Sequence, residues 1–169
     1  MELSWCKFLF PVGTFPLQQA RQGQDVRAGA ACWAREGEGE EEQLMRSARM
    51  VIELLEQEER SGIPSQRIVI GGFGQGATVA LLTSLLWEKK LGGIMCMATF
   101  LPEFLRKRSM QPPLDVSVAV ASLPALFCHG SKDPVVPLSV CLGSYKVRGQ
   151  EAYNSNDPVQ VTSLDGVKV

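Results

Sequence analysis

No stretch of this chain approaches the roughly 20 consecutive apolar residues that span a bilayer, although 45% of its 169 residues are apolar. Charge of either sign is not in excess. Seventeen basic residues against 18 acidic ones leave a net charge of −1, which gives no electrostatic reason for binding nucleic acid or an anionic membrane surface. Cys6, Cys32, Cys96, Cys128 and Cys141 are odd in number and scattered. No C-x-x-C pair marks zinc or a redox dithiol, so buried thiols in a reducing compartment are expected. Met1–Pro11 has neither the basic start nor the apolar length of a signal peptide. The expectation is a soluble, cytoplasmic protein with no metal and no integral membrane segment. Residues 1–169 are long enough for one domain with its own core.

The pattern of elements alternates. Trp5–Phe10 reads as a short strand ended by Pro11. Residues 11–40 carry Gly, Pro, Gln and Arg without apolar period, which is long for a loop in a compact domain. From Glu41 to Arg60 the apolar residues Leu44, Ala48, Val51, Ile52 and Leu55 recur at helical spacing, and Gly62-Ile-Pro64 stops the helix. The acidic run Glu36–Glu42 suits a helix N-terminus. Gln66–Gly71 is a strand buried on both faces, Gln75–Lys90 a mostly buried helix, and Gly93–Thr99 and Leu123–His129 two further strands. Leu138–Arg148 can be helical, weakened by Gly143, and Pro158–Leu164 alternates as a last strand. Strands alternating with helices imply an α/β fold, a mostly parallel sheet flanked by helices.

The densest information lies in Arg67-Ile-Val-Ile-Gly-Gly-Phe-Gly-Gln-Gly-Ala77: a buried strand, a glycine-rich turn and a helix start. Serine hydrolases of the α/β class mount their nucleophile on such a corner, G-x-S-x-G. Here the middle position is Gly74, which has no side chain with which to attack a carbonyl. A rival reading exists, because Gly72-Phe-Gly74-Gln-Gly76-Ala77 also satisfies G-x-G-x-x-A, the dinucleotide fingerprint that would imply NAD binding. That fold needs an acid at the end of the next strand, where only Glu103 comes near. A second motif, His129-Gly-Ser-Lys-Asp-Pro-Val-Val-Pro137, follows an apolar strand and puts Asp133 where such hydrolases keep the triad acid.

Taken together, these pieces resemble the acyl-protein thioesterase (lysophospholipase-like carboxylesterase) family of α/β hydrolases. The matching segments are Lys7–Pro11, Ser61–Phe73 with Gln75-Gly76, Leu91-Gly-Gly93, Leu101-Pro102, Cys128-His-Gly130 and Asp133–Pro137, in family order. Residues 11–40 match poorly; Trp33 stands near the family's aromatic position, with Ala34 and Arg35 in place of its Phe-Asp. The resemblance implies a partial α/β-hydrolase fold, no cofactor, and acylated proteins or small acyl esters as the class acted on. It places Gly74 at the nucleophile position, the backbone N–H of Gln75 in the oxyanion hole, Asp133 at the acid position and Leu101 and Pro102 beside the substrate. The histidine position falls on Val169. His129, the single histidine, is structural in the resemblance. By the same resemblance the family's first strands and its His-Gly loop would precede residue 1, and its final helix would follow residue 169. An inactive family member is therefore expected. The alternatives are a non-catalytic binder of acyl chains or lipidated proteins, an unstable gene fragment, and more distantly a dinucleotide binder.

Overall fold

Helix α1, Glu40–Arg60, begins on three glutamates that complement the positive end of its dipole, and it carries Arg60 in its last turn. Its inward stripe, Leu44, Ala48 and Leu55, is buried, with Val51 and Ile52 packed against it, as the helical spacing predicts. The computed structural model describes residues 5–16, 31–35, 37, 39–100, 102, 104, 123–140 and 159–163.

Two short strands, β1 (Phe15–Pro16) and β2 (Ala31–Cys32), pair antiparallel ahead of α1. The main sheet has four strands in the order β3 (Val69–Phe73), β4 (Gly93–Met97), β5 (Ala125–His129) and β6 (Val159–Ser163), all parallel. Helix α2, Gln75–Leu86, links β3 to β4. The register aligns Ile70 with Ile94 and Ala125, and Gly72 with Cys96 and Phe127. Ile70, Ile94, Cys96, Ala125 and Phe127 are buried among α1 and α2, and Cys96 Sγ reaches the Ala77 carbonyl at 3.8 Å. Full burial of side chains such as Leu44, Leu81, Leu82 and Phe127 contributes about 1.5–3 kcal/mol each. On the other face Val69, Phe73 and Met95 are exposed. This is the α/β architecture expected from the alternation of elements.

Several boundaries differ from expectation. Trp5–Phe10 is not a strand: it forms no ladder, and Trp5, Phe8, Leu9 and Phe10 are exposed. An extended apolar run becomes a strand only beside a pairing neighbour, and none of the described residues supplies one. Ser65–Arg67 is a turn of 3-10 helix, so the strand expected from Gln66 starts at Val69 and runs on to Phe73. The cause is tertiary: the Gly92 N–H donates to Ser65 and Ile68 carbonyls, and Ser65 Oγ donates to the Lys90 carbonyl. Helix α2 ends at Leu86 rather than Lys90, because Trp87 takes an extended conformation and is buried. Strand β4 stops at Met97, before Ala98, whose φ of 48° breaks the extended run. Strand β5 begins two residues later than expected, at Ala125. The expected helix from Leu138 is described only through Val140; its remainder lies outside the described residues.

Candidate functional site

All three described loops that carry the candidate residues leave the carboxyl ends of parallel strands, the edge at which open α/β sheets bind ligands. The turn from β3 into α2 is centred on Gly74, with φ 55° and ψ −122°. That is a region L side chains rarely adopt, and a β-carbon built on Gly74 would meet no atom within 4 Å. Its N–H donates to the Met97 carbonyl at 2.8 Å, and its own carbonyl accepts from the Ala77 and Thr78 N–H groups. Gly72 lets strand and helix approach. A β-carbon there would lie 2.5 Å from the Gly76 carbonyl carbon. The corner is thus fixed by backbone, with open space over its central residue.

Two side chains on the first turn of α2 hold neighbouring segments to this corner. Gln75 Oε1 accepts the N–H groups of Trp33 and Ala34 at 2.8 and 3.1 Å, and its Nε2 donates to the Ala34 carbonyl at 2.6 Å. From α1, Ser47 Oγ donates to the Trp33 carbonyl, and Gln43 accepts the Arg35 N–H. Thr78 Oγ1 lies 3.1 Å from Thr99 Oγ1 and donates to the Phe100 carbonyl, which holds the segment leaving β4. The N–H groups at the start of α2, that of Gln75 included, have no intrahelical acceptor.

Beyond β5, Asp133 caps its own turn. Its Oδ1 accepts the N–H groups of Val135 and Val136 at 2.8 and 2.9 Å. These bonds, that of Val136 foremost, hold its carboxyl below the ordinary aspartate range, with the charge of His129 adding in the same sense. His129 is 1% exposed. Its Nε2 lies 2.7 Å from the Val136 carbonyl and 3.7 Å from Asp133 Oδ2, so the imidazole bonds the carbonyl and lies only near the carboxylate. Nδ1 has no partner among the described residues.

A family model described as phospholipase/carboxylesterase matches residues 1–163. The chain belongs to the phospholipase/carboxylesterase family. Within this family it is 37% identical over 107 residues to acyl-protein thioesterase 1 of Schizosaccharomyces pombe, covering 63% of this chain and 46% of that relative. It is 36% identical over 97 residues to acyl-protein thioesterase 1 of Cryptococcus neoformans, covering 57% and 39%. It therefore spans about half the length of the curated relatives it matches. Among solved structures, maize (Zea mays) acyl-protein thioesterase 2 superposes with a TM-score of 0.58 at 22% identity, covering 82% of this chain and 64% of that one. Arabidopsis thaliana SOBER1 gives 0.58 at 23%, covering 73% and 54%. These likenesses establish the partial α/β-hydrolase fold.

Gly74 and Asp133 sit at the same sheet edge, separated by β4, which is two strand spacings or roughly 10 Å. Pro102 is buried. Leu101 and Val169 lie outside the described residues. The strand after the glycine turn ends on Met97 and is followed by Ala98, Thr99 and Phe100, none of them an acid. The side-chain clamp of Gln75, the Thr78–Thr99 pair and the positive φ of Ala98 were not read from sequence. Only Gln75 carried a signal, through its place after Gly74, and that signal concerned its backbone.

Proposed function

We propose that this chain is a non-hydrolysing relative of the acyl-protein thioesterases, with Gly74 at the nucleophile position, Asp133 at the acid position, Val169 at the histidine position and the Gln75 N–H as an oxyanion donor. One observation carries the reading. At Gly74 the backbone is turned as a nucleophile-bearing corner requires, with free space for a side chain, and the side chain is a hydrogen. Acyl transfer needs an oxygen lone pair aimed at the acyl carbon and a base to take its proton. His129 does not supply that base: it is buried and bonded to the Val136 carbonyl. Loss of a single triad member typically leaves about 10³–10⁴-fold acceleration over water, supplied by the oxyanion hole and binding; here two positions lack their groups.

What such a corner retains is space and donors. The space over Gly74 is open to an added β-carbon, and the relatives named as acyl-protein thioesterases support acylated proteins or small acyl esters as the class held there without cleavage. A reducing, cytoplasmic setting belongs to the same reading, supported by the free Cys6, Cys32, Cys96 and Cys128. The test is turnover of a p-nitrophenyl ester and of a palmitoyl thioester peptide, with parallel measurement of peptide binding. The expected result is no turnover above buffer with micromolar binding. Turnover blocked by a serine-directed fluorophosphonate overturns the proposal.

A further inference from the structure

Among the described residues Ala98 alone, glycines apart, has a positive φ, 48°, and it stands beside the corner. Phe73 pairs with Met97 in the parallel ladder, so an extended β4 would carry Ala98 alongside Gly74 and Thr99 alongside Gln75. The chain turns away instead. Alanine in the left-handed region bears a steric cost from its β-carbon. Such strain persists only where the surrounding structure over-determines it.

The contacts that do so can be named. Up to the turn they are main chain: the Gly74 N–H donates to the Met97 carbonyl at 2.8 Å, and the Ala98 N–H donates to the Cys128 carbonyl at 2.9 Å. Past the turn they are side chain. Thr78 Oγ1, on the first turn of α2, donates to the Phe100 carbonyl at 3.2 Å and lies 3.1 Å from Thr99 Oγ1. A threonine hydroxyl has one proton. With that of Thr78 on the Phe100 carbonyl, Thr99 is the donor within the pair. Both threonines are buried, so removing either hydroxyl leaves a desolvated polar group behind. Two hydroxyls thus draw residues 99 and 100 onto α2, against the bend at Ala98. Strand β4 runs between β3 and β5, so this segment leaves the sheet between the corner and the Asp133 turn. While it is held to α2, a β-carbon on Gly74 meets no atom within 4 Å.

We propose that Ala98–Phe100 is a two-position strap at the mouth of the corner. The Thr78–Thr99 latch holds it bent onto α2 and keeps the corner open. When the latch lets go, Ala98 relaxes to an extended conformation, and the strap runs alongside residue 74 and covers it. The inference concerns access to the corner, and it holds whether or not acyl compounds bind there.

The reporter is Gly74→Cys, alkylated in the intact protein with iodoacetamide, a neutral reagent. Peptide mapping separates residue 74 from the native cysteines. Thr78→Val and Thr99→Val, which keep the side-chain shape and remove one hydroxyl each, should each shift the strap toward closure and slow alkylation there by about threefold or more. Thr99→Val leaves untouched the 3.4 Å approach of Thr78 Oγ1 to the Gly74 carbonyl, so equal slowing in both variants excludes a direct effect on the corner. Thr78→Ser keeps the hydroxyl and should label at the parent rate. Ala98→Gly removes the strain, so adding it to either valine variant should restore the parent rate to within about twofold. In the otherwise unaltered protein, Ala98→Gly should slow hydrogen exchange at Thr99 and Phe100 by about threefold or more, a result that does not depend on the valine variants folding. The proposal is overturned if the valine variants melt earlier yet label at the parent rate, which is what a purely structural pair would do. It is overturned equally by slowing that Ala98→Gly fails to relieve, or by unchanged exchange at Thr99 and Phe100 in Ala98→Gly.

Discussion

Gln75 grips Ala34 at both ends of its backbone, accepting its N–H at 3.1 Å and donating to its carbonyl at 2.6 Å. With the bond from the Trp33 N–H, one amide side chain satisfies three polar groups of a segment 41 residues away. Gln75→Ala leaves all three without that partner in a part-buried site, which should lower stability by about 2 kcal/mol. Gln75→Glu keeps an acceptor for the two N–H groups but sets a carboxylate against the Ala34 carbonyl, so its loss should be of similar size or larger. Urea denaturation of the two variants checks the stability change, and quenching of Trp33 emission by iodide checks release of the segment.

Two glycines of one turn should respond to alanine in different ways. At Gly74 the added methyl meets no atom, and the penalty is backbone strain alone, about 1–3 kcal/mol. At Gly72 the methyl would fall 2.5 Å from the Gly76 carbonyl carbon and 2.7 Å from the Ala77 nitrogen. Rigid backbone cannot yield there, so α2 must lift from β3. Gly72→Ala should sit at or above the upper end of the usual overpacking loss, about 3 kcal/mol. Thermal melts rank the two; equal losses would mean that the turn relaxes and that close strand–helix approach is not what Gly72 provides.

How far the chain could be read before its fold was seen follows from the range of the forces involved. Helix α1 was legible to within one residue because its stripe, Leu44 to Leu55, is a local 3.6-residue pattern. The corner at Gly74 was legible because a tight turn writes its glycines into adjacent positions. Trp5–Phe10 misled for the opposite reason: apolar and aromatic content records suitability for a strand, while the partner that makes one is not local. The early end of α2 reflects burial of Trp87, another long-range fact. Gly74 and Asp133 became candidates through motifs. The clamp from Gln75 to Ala34 spans 41 residues and has no local signature.

Acid should act on the turn after β5 through Asp133. Its folded carboxyl titrates below the ordinary range because the charged form accepts the Val136 and Val135 N–H groups. A depressed folded value means the unfolded chain takes up the proton first as pH falls. The stabilisation is therefore full above about pH 4, the range of a free aspartate, and is lost as pH drops through the lower folded value. Asp133→Asn keeps a carbonyl oxygen for the two N–H groups while losing the charge, so its stability should be less dependent on pH below 4. Asp133→Ala should open the turn at every pH. Denaturant midpoints between pH 2.5 and 7 separate these outcomes; parallel pH curves for wild type and Asp133→Asn would show that the carboxylate charge contributes nothing.

Placing an oxygen at the corner tests the proposal that this chain does not hydrolyse esters. Gly74→Ser has room for its side chain and should fold, at about 1–3 kcal/mol lower stability from the positive φ. A serine hydroxyl is a weak nucleophile at its free pKa and needs a base within about 2.6–3.2 Å. The imidazole of His129, the last residue of β5, lies two strands and roughly 10 Å from the corner, and its Nε2 is already bonded to the Val136 carbonyl. The variant should therefore match Gly74→Ala in ester turnover and resist fluorophosphonate labelling over hours. Added imidazole should raise its turnover by a small, concentration-dependent factor, as an external base does when the internal one is lacking. Rapid labelling without imidazole would reveal a base within reach of residue 74, and the scaffold would then be one substitution away from a hydrolase.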